Sequence, residues 1–332
     1  MLELLRVENL EVSYPSTASA DDKWFSFRKK TIRAVDGVNF SIKKGEVVAL
    51  VGESGCGKST VGKALVSLVS KSEGKVFYQN EDVSAQKHLE RLRKNVQYIF
   101  QDPYSSLNPR MTVNTILSRP MKIFHPYRSQ EEQQEKLAVL LQQVGLQKEH
   151  GLRFPHEFSG GQKQRISIAR ALAVEPDLII ADEPTAALDV SIQAQILKLM
   201  VSLKDDLDLT MLFISHDLGV VEYISDRILV MYLGVIVEEG PTKDVIRRPY
   251  HPYTKALLSA VPKNPLQERD EVFKLVGNIP SAMDIPSGCR LHPRCPYAAE
   301  ICKTCSLTLK EVEPGRRVAC VLFDSEIEKV PL

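Results

Sequence analysis

The stretch GEVVALVGESGCGKSTVGKAL at residues 45–65 carries the side chains best suited to hold phosphate. An apolar run leads into Gly52-x-x-x-x-Gly57-Lys58-Ser59, and a helix-like pattern follows. Glycines permit a tight turn whose backbone N–H groups point at anionic oxygens, and the following helix adds the positive end of its dipole. Glu53, Ser54, Gly55 and Cys56 form the rest of the turn. Lys58 supplies a point charge for β and γ phosphates, and the Ser59 hydroxyl is placed to ligate Mg²⁺. Thr60 offers a second hydroxyl, to phosphate or as a helix cap. Cys56 lies beside a helix N-terminus, a setting that can lower a thiol pKa; the competing reading is a small residue that simply fits.

Two further stretches carry matching chemistry. DLIIADEP at 177–184 reads as a buried strand with Asp182 and Glu183 at its carboxyl end, the edge that faces the ligand crevice of an open α/β sheet. There Asp182 can hold Mg²⁺ through water, and Glu183 can polarise an attacking water. In FSGGQKQRISIARAL at 158–172, Ser159, Gly160 and Gly161 stand where a helix should begin, and the unpaired N–H groups of such a start form an anion site.

With these motifs in this order, the sequence resembles the ATP-binding subunits of ABC transporters. Ser159-Gly160-Gly161-Gln162 looks like the signature of that family, which closes over the γ-phosphate held by the opposite subunit. Gln101 in YIFQDP resembles the Q-loop glutamine that senses γ-phosphate and Mg²⁺, Asp189 in AALDVS the D-loop, and His216 in FISHDL the switch histidine. The family stacks adenine on an aromatic at the end of its first strand, a role that Tyr14 in LEVSYP fits; Trp24, Phe25 and Phe27 in the next loop are the alternatives.

These residues need a frame. Residues 1–100 and 160–240 read as strands alternating with helices, an α/β core whose first part is expected to be antiparallel. From 128 to 150, Leu137, Leu140, Leu141 and Val144 recur at helical spacing. The resemblance makes this part of a helical subdomain, about 102–160, and the stripe is expected to be its own core. Gly234 inside ILVMYLGVIVEEG suggests a hairpin. The expected division is a nucleotide-binding domain at 1–245 and a carboxyl extension at 246–332. In that extension HPYT at 251–254 and the cysteine segment after it resemble the dipeptide and oligopeptide importer ATPases, a branch that also takes nickel, glutathione or oligosaccharides.

Composition constrains partners. Lys plus Arg number 43 against 42 Asp plus Glu, a formal charge of +1, so no global basic field argues for nucleic acid. The start, MLELLRVENLEV, has no basic region followed by an apolar stretch, which predicts a chain kept in the cytoplasm. The longest apolar run, 228–237, is about half of the roughly 20 residues a membrane helix needs. The resemblance therefore implies a peripheral ATPase on the cytoplasmic membrane face. It would dock on two permease subunits and pair head to tail with a second, different ATPase subunit, while an extracytoplasmic binding protein delivers solute. ABC proteins of DNA repair carry a very long coiled coil between motifs, and those of translation carry two cassettes in one chain; this sequence has neither.

Five of the six cysteines lie between 289 and 320. Cytoplasmic thiols are kept reduced, which argues against disulfides there. Zinc sites usually show two close pairs, and here only Cys302 and Cys305 form C-x-x-C. Cys289, Cys295, Cys302 and Cys320 resemble the pattern by which some peptide-importer ATPases bind a 4Fe–4S cluster. Cys305 is an alternative fourth ligand, and zinc or unliganded cysteines are the competing readings. Arg290, Arg294, Lys303, Lys310, Arg316 and Arg317 outnumber Glu300, Glu311 and Glu313, which suits an anionic cluster.

Overall fold

Parallel strands covered on both faces must be apolar along their whole length, and short apolar runs meet that need at three places in the chain. They are Val47–Val51, Leu178–Asp182 and Thr210–Ser215, every residue of which is buried. The computed structural model describes residues 2–15, 31–124, 129–260 and 273–324. Trp24, Phe25 and Phe27 lie outside the described residues.

The chain begins with β1 (Glu3–Pro15), β2 (Thr31–Lys43), β3 (Val47–Val51), α1 (Lys58–Leu65), β4 (Glu73–Tyr78) and β5 (Glu81–Asp82). Next come α2 (Gln86–Asn95), β6 (Val96–Ile99), α3 (Pro103–Ser106), α4 (Val113–Phe124), α5 (Gln130–Gln143) and α6 (Gly160–Leu172). After them follow β7 (Leu178–Asp182), α7 (Val190–Leu207), β8 (Thr210–Ser215), α8 (Leu218–Ile224), β9 (Arg227–Tyr232) and β10 (Val235–Pro241). The last are α9 (Thr242–Arg247), α10 (Pro252–Ser259), β11 (Lys310–Glu313) and β12 (Arg316–Val318). They form two units, one built mainly from residues 42–47 and 78–214, the other from 5–41, 48–77 and the chain from 215 onward.

In the first unit β6, β7 and β8 run parallel, with Ile99 opposite Ala181 and Asp182 opposite Ile214. Parallel neighbours need a crossover, and α7 supplies it between β7 and β8. The helical part, α4 to α6, buries Leu137, Leu140, Leu141 and Val144, so the apolar stripe is internal as its spacing predicts. Each such leucine contributes about 1.5–3 kcal/mol by leaving water. Ser129 caps α5 by accepting the Glu132 N–H at 3.2 Å.

In the second unit β2, β1 and β4 are successive neighbours in one sheet, and β3, β9, β10, β12 and β11 in another. β3 and β9 pair in parallel. β9 and β10 form the antiparallel hairpin that Gly234 suggested; Leu233 and Gly234 turn it at φ 42° and 88°. β12 then pairs antiparallel with β10, so strands near the chain's end are built into the same sheet as the core. Two buried acidic residues of β10 mark the join. Glu238 meets Arg316 at 3.2 Å, and Glu239 meets Arg317.

Candidate nucleotide site and cysteine pocket

The phosphate loop joins β3 to α1, the strand, loop, helix order its spacing predicts. Gly57 sits at φ 108°, and a Cβ there would lie 2.1 Å from the Ala34 carbonyl oxygen; one at Gly52 would lie 2.1 Å from that of Met231. Only glycine fits either place. Gly55, at φ 79°, has nothing within 4 Å of its Cβ direction, and Ser54 beside it is exposed. Lys58 is buried and donates from Nζ to the carbonyls of Gly52 at 2.8 Å and Glu53 at 3.0 Å, which curls the loop around its own cation. Ser59 and Thr60 follow half-buried in the first turn of α1. A tight N–H-rich turn closed by a lysine and two hydroxyls suits a magnesium-bound triphosphate.

Cys56 departs from the reactive reading. Its side chain is buried, and burial raises the thiol pKa above its ordinary value; the attraction of Lys58 works the other way and is outweighed. Desolvation therefore overrides the helix terminus, and the small-residue reading of Cys56 is the better one.

Glu53 is gripped twice. Its backbone N–H donates to the Tyr253 hydroxyl at 2.8 Å, and its carboxylate receives Arg294 through Nη1 at 3.1 Å and Nη2 at 3.4 Å. Neither partner was visible in the sequence as part of the loop's surroundings. Their only signals were Tyr253 in HPYT and Arg294 beside Cys295.

In the first unit, Asp182 ends β7 as its apolar run predicts and is buried, accepting the Tyr98 hydroxyl at 2.7 Å. Burial, and then the adjacent carboxylate, push the Tyr98 phenol far above its usual range, so it stays a donor. Glu183 follows with φ 44°, a left-handed backbone that a non-glycine residue seldom adopts outside functional sites and turns. Its N–H donates to the Ile214 carbonyl at 3.0 Å, and its Oε2 accepts Gln101 Nε2 at 2.9 Å. Two residues singled out separately in the sequence are thus in contact.

Ser159 is the N-cap of α6, and the cap is reciprocal: Ser159 Oγ accepts the Gln162 N–H at 3.4 Å, and Gln162 Oε1 accepts the Ser159 N–H at 3.1 Å. Such a box satisfies two orphan donors. A Cβ on Gly161 would stand 2.4 Å from Ile192 Cγ2, so this glycine lets α6 approach α7. Asp189 caps α7, accepting from Ser191 Oγ at 2.7 Å and the Ile192 N–H at 3.0 Å. Those two bonds, the serine's foremost, hold its carboxyl below the usual range. His216, in the second unit, is exposed just beyond β8. Tyr14 is 37% exposed at the end of β1, in the second unit as well.

The second unit also contains a small pocket lined by Cys289, Cys295, Cys302 and Cys320, with His251 and Tyr297 among its other walls. Burial pushes Cys289 up to about 11 and Cys320 to about 12, and raises Cys295 as well. Neighbouring thiols add to each shift in the same direction. Among the described residues no three His, Cys, Asp or Glu side chains converge closely enough for one metal ion.

The family model described as ABC transporter matches residues 35–186, and that of the oligopeptide/dipeptide transporter C-terminal region matches 237–302. The oligopeptide transport ATP-binding protein AppF of Bacillus subtilis (strain 168) is 48% identical over 305 residues, 90% of this chain and 92% of AppF. The chain belongs to the ABC transporter ATPases. Within that family, the dipeptide transport ATP-binding protein DppF of Haemophilus influenzae is 45% identical over 301 residues, 90% of this chain and 91% of DppF. Among solved structures of ABC ATPases, cbiO1 from Clostridium perfringens, part of the transporter complex cbiONQ, aligns with a TM-score of 0.62 at 28% identity. It covers 75% of this chain and 92% of its own. The cassette MJ0796, a dimer bound to ADP and Pi, gives 0.62 at 29%, covering 72% of this chain and 99% of its own. ATP and Mg²⁺ are the expected ligands of an ABC ATPase. No helix among the described residues is long and apolar enough to cross a membrane.

Proposed function

We propose that this chain hydrolyses ATP to drive import of peptides through separate membrane permease subunits, docked on their cytoplasmic face. The observation that carries the reading is likeness at both ends. The cassette region matches one model, the segment from 237 to 302 matches the peptide-transporter model, and AppF and DppF align along about nine-tenths of the chain. The same architecture could carry nickel, glutathione or oligosaccharide. Residues 1–245 act as the nucleotide-binding domain and 246–332 as the extension.

The roles follow from chemistry. Gly52 to Thr60 hold the phosphates, Lys58 balances their charge, and Tyr14 stacks on adenine. Ser59 and Gln101, and Asp182 through water, would hold Mg²⁺, which would supply positive charge to the phosphate oxygens. Glu183 takes the proton of the attacking water, and Gln101 orients that carboxylate through the 2.9 Å bond. His216 acts with them as the switch. Ser159, Gly160, Gly161, Gln162 and Asp189 act across a head-to-tail dimer with a second, different ATPase subunit. The extracytoplasmic binding protein meets the assembly only through the permease.

The cysteine pocket holds a 4Fe–4S cluster on Cys289, Cys295, Cys302 and Cys320. What supports this reading is that all four cysteines line one pocket, and thiolates are the ligands such a cluster takes. The cluster braces the extension and takes no part in hydrolysis.

The deciding experiment places this chain, its ATPase partner and the permease pair in proteoliposomes with the binding protein and a labelled oligopeptide. ATP-dependent uptake of peptide supports the reading. ATP hydrolysis without peptide uptake overturns it, and uptake of labelled nickel, glutathione or oligosaccharide offered in its place assigns the importer to that solute.

A further inference from the structure

Glu53 puts a carboxylate into a loop built for anionic phosphates, where its charge by itself opposes the ligand. The structure supplies an answer from far along the chain. Arg294, 241 residues later, forks onto that carboxylate at 3.1 and 3.4 Å. The side chain of Arg294 is 10% exposed and that of Glu53 27%, so water screens the pair only in part. Arg294 also reaches the Tyr232 hydroxyl at 3.4 Å.

The backbone of the same residue is held separately. The Tyr253 hydroxyl accepts the Glu53 N–H at 2.8 Å, and the Tyr253 ring is fully buried against Tyr232 with centroids 4.6 Å apart. Lys58 takes the Glu53 carbonyl at 3.0 Å. Every polar group of Glu53 is thereby assigned, two of them to residues of the carboxyl extension. Arg290 fixes that extension nearby by bonding Asp36 and the Leu233 carbonyl.

We propose that Arg294 and Tyr253 are positioning residues for nucleotide binding: Arg294 cancels the charge of Glu53, Tyr253 fixes the loop's backbone, and the extension thereby sets the loop's affinity for ATP. This rests on the reading of the loop as an ATP site, and the test separates the two. Equilibrium binding of Mg-ATP is measured on the full-length chain by titration calorimetry, for wild type, Arg294→Met, Tyr253→Phe and the double variant Arg294→Met/Glu53→Gln. Arg294→Met should weaken binding about tenfold, the size of one lost charge-assisted bond. The defect should shrink as salt is raised, because the unmasked repulsion is screened. Removing the carboxylate as well should recover most of the affinity, which a merely structural arginine would not allow. Tyr253→Phe keeps the ring and loses one acceptor, and should weaken binding about threefold. Wild-type protein that binds no Mg-ATP overturns the nucleotide reading. Tight wild-type binding, with Arg294→Met equally tight or with a double variant no better than the single, overturns the inference.

Discussion

Gln101 donates to Glu183 at 2.9 Å across 82 residues of sequence, tying the end of β6 to the end of β7. The carboxylate it holds also sits on a left-handed backbone at φ 44°. A strained, oriented carboxylate suits a base better than a solvated turn residue.

Glu183→Gln tests that role with little change of shape, because an amide oxygen can still accept from Gln101. ATP binding should persist while hydrolysis falls about 10²–10⁴-fold, the usual worth of a positioned base. Single-turnover hydrolysis beside equilibrium binding reads the two separately, and ATP-bound dimers should accumulate. Near-normal turnover in the assembled transporter would remove Glu183 from the mechanism.

Lys58→Ala acts on the other quantity. The buried ammonium bonds the Gly52 and Glu53 carbonyls, and on the proposed reading it is the loop's cation for phosphate. Its loss should raise the ATP dissociation constant about tenfold to a hundredfold. An unchanged constant would contradict the assignment.

The pH behaviour of Cys56 follows from burial. A pKa raised above the ordinary thiol value leaves less thiolate at neutral pH, and thiolate is the species that alkylates. Iodoacetamide labelling of native protein at pH 7.5, followed by mass spectrometry, should therefore be slow at Cys56. It should speed up as pH rises, and unfolded chain should label fast. Rapid labelling of Cys56 in native protein at neutral pH would restore the reactive reading.

Cys56 marks the limit of what local sequence shows. Local order was legible: Lys58 at a helix start, Asp182 ending a strand, Ser159 capping a helix and the Gly234 hairpin all follow from patterns within a dozen residues. Burial and partners were not. Tyr98 meets Asp182 across 84 residues and Arg294 meets Glu53 across 241, distances over which no spacing rule operates. The burial that decides between the two readings of Cys56 is hidden for the same reason, since desolvation depends on which strands fold over it.

Arg316 tests whether the extension is part of the core. Its guanidinium is buried with Glu238, which also accepts the N–H groups of Tyr250 and His251 at 2.9 Å each. Arg316→Met should destabilise by about 3–5 kcal/mol, because it strands a buried carboxylate. Adding Glu238→Gln should return part of that loss. Denaturant unfolding of the three proteins measures it, and an unshifted midpoint for the single variant would show that the pair does not secure β12 to β10.

The cysteine pocket makes the last prediction, and metal content decides it. Cys289, Cys295, Cys302 and Cys320 line one pocket, whereas Cys305 belongs to an adjoining one with Cys289. Burial keeps Cys289, Cys295 and Cys320 protonated, so ligation must displace protons and should strengthen with rising pH. Protein purified without oxygen should be brown, with about four iron and four sulfide per chain. Cys320→Ser should lose most of that iron and Cys305→Ser should keep it, because only the former removes a wall of the shared pocket. Stoichiometric zinc without iron, or no metal at all, would sink the cluster. Full iron in Cys320→Ser and loss of iron in Cys305→Ser would instead move the fourth ligand to Cys305, the thiol that completes C-x-x-C with Cys302.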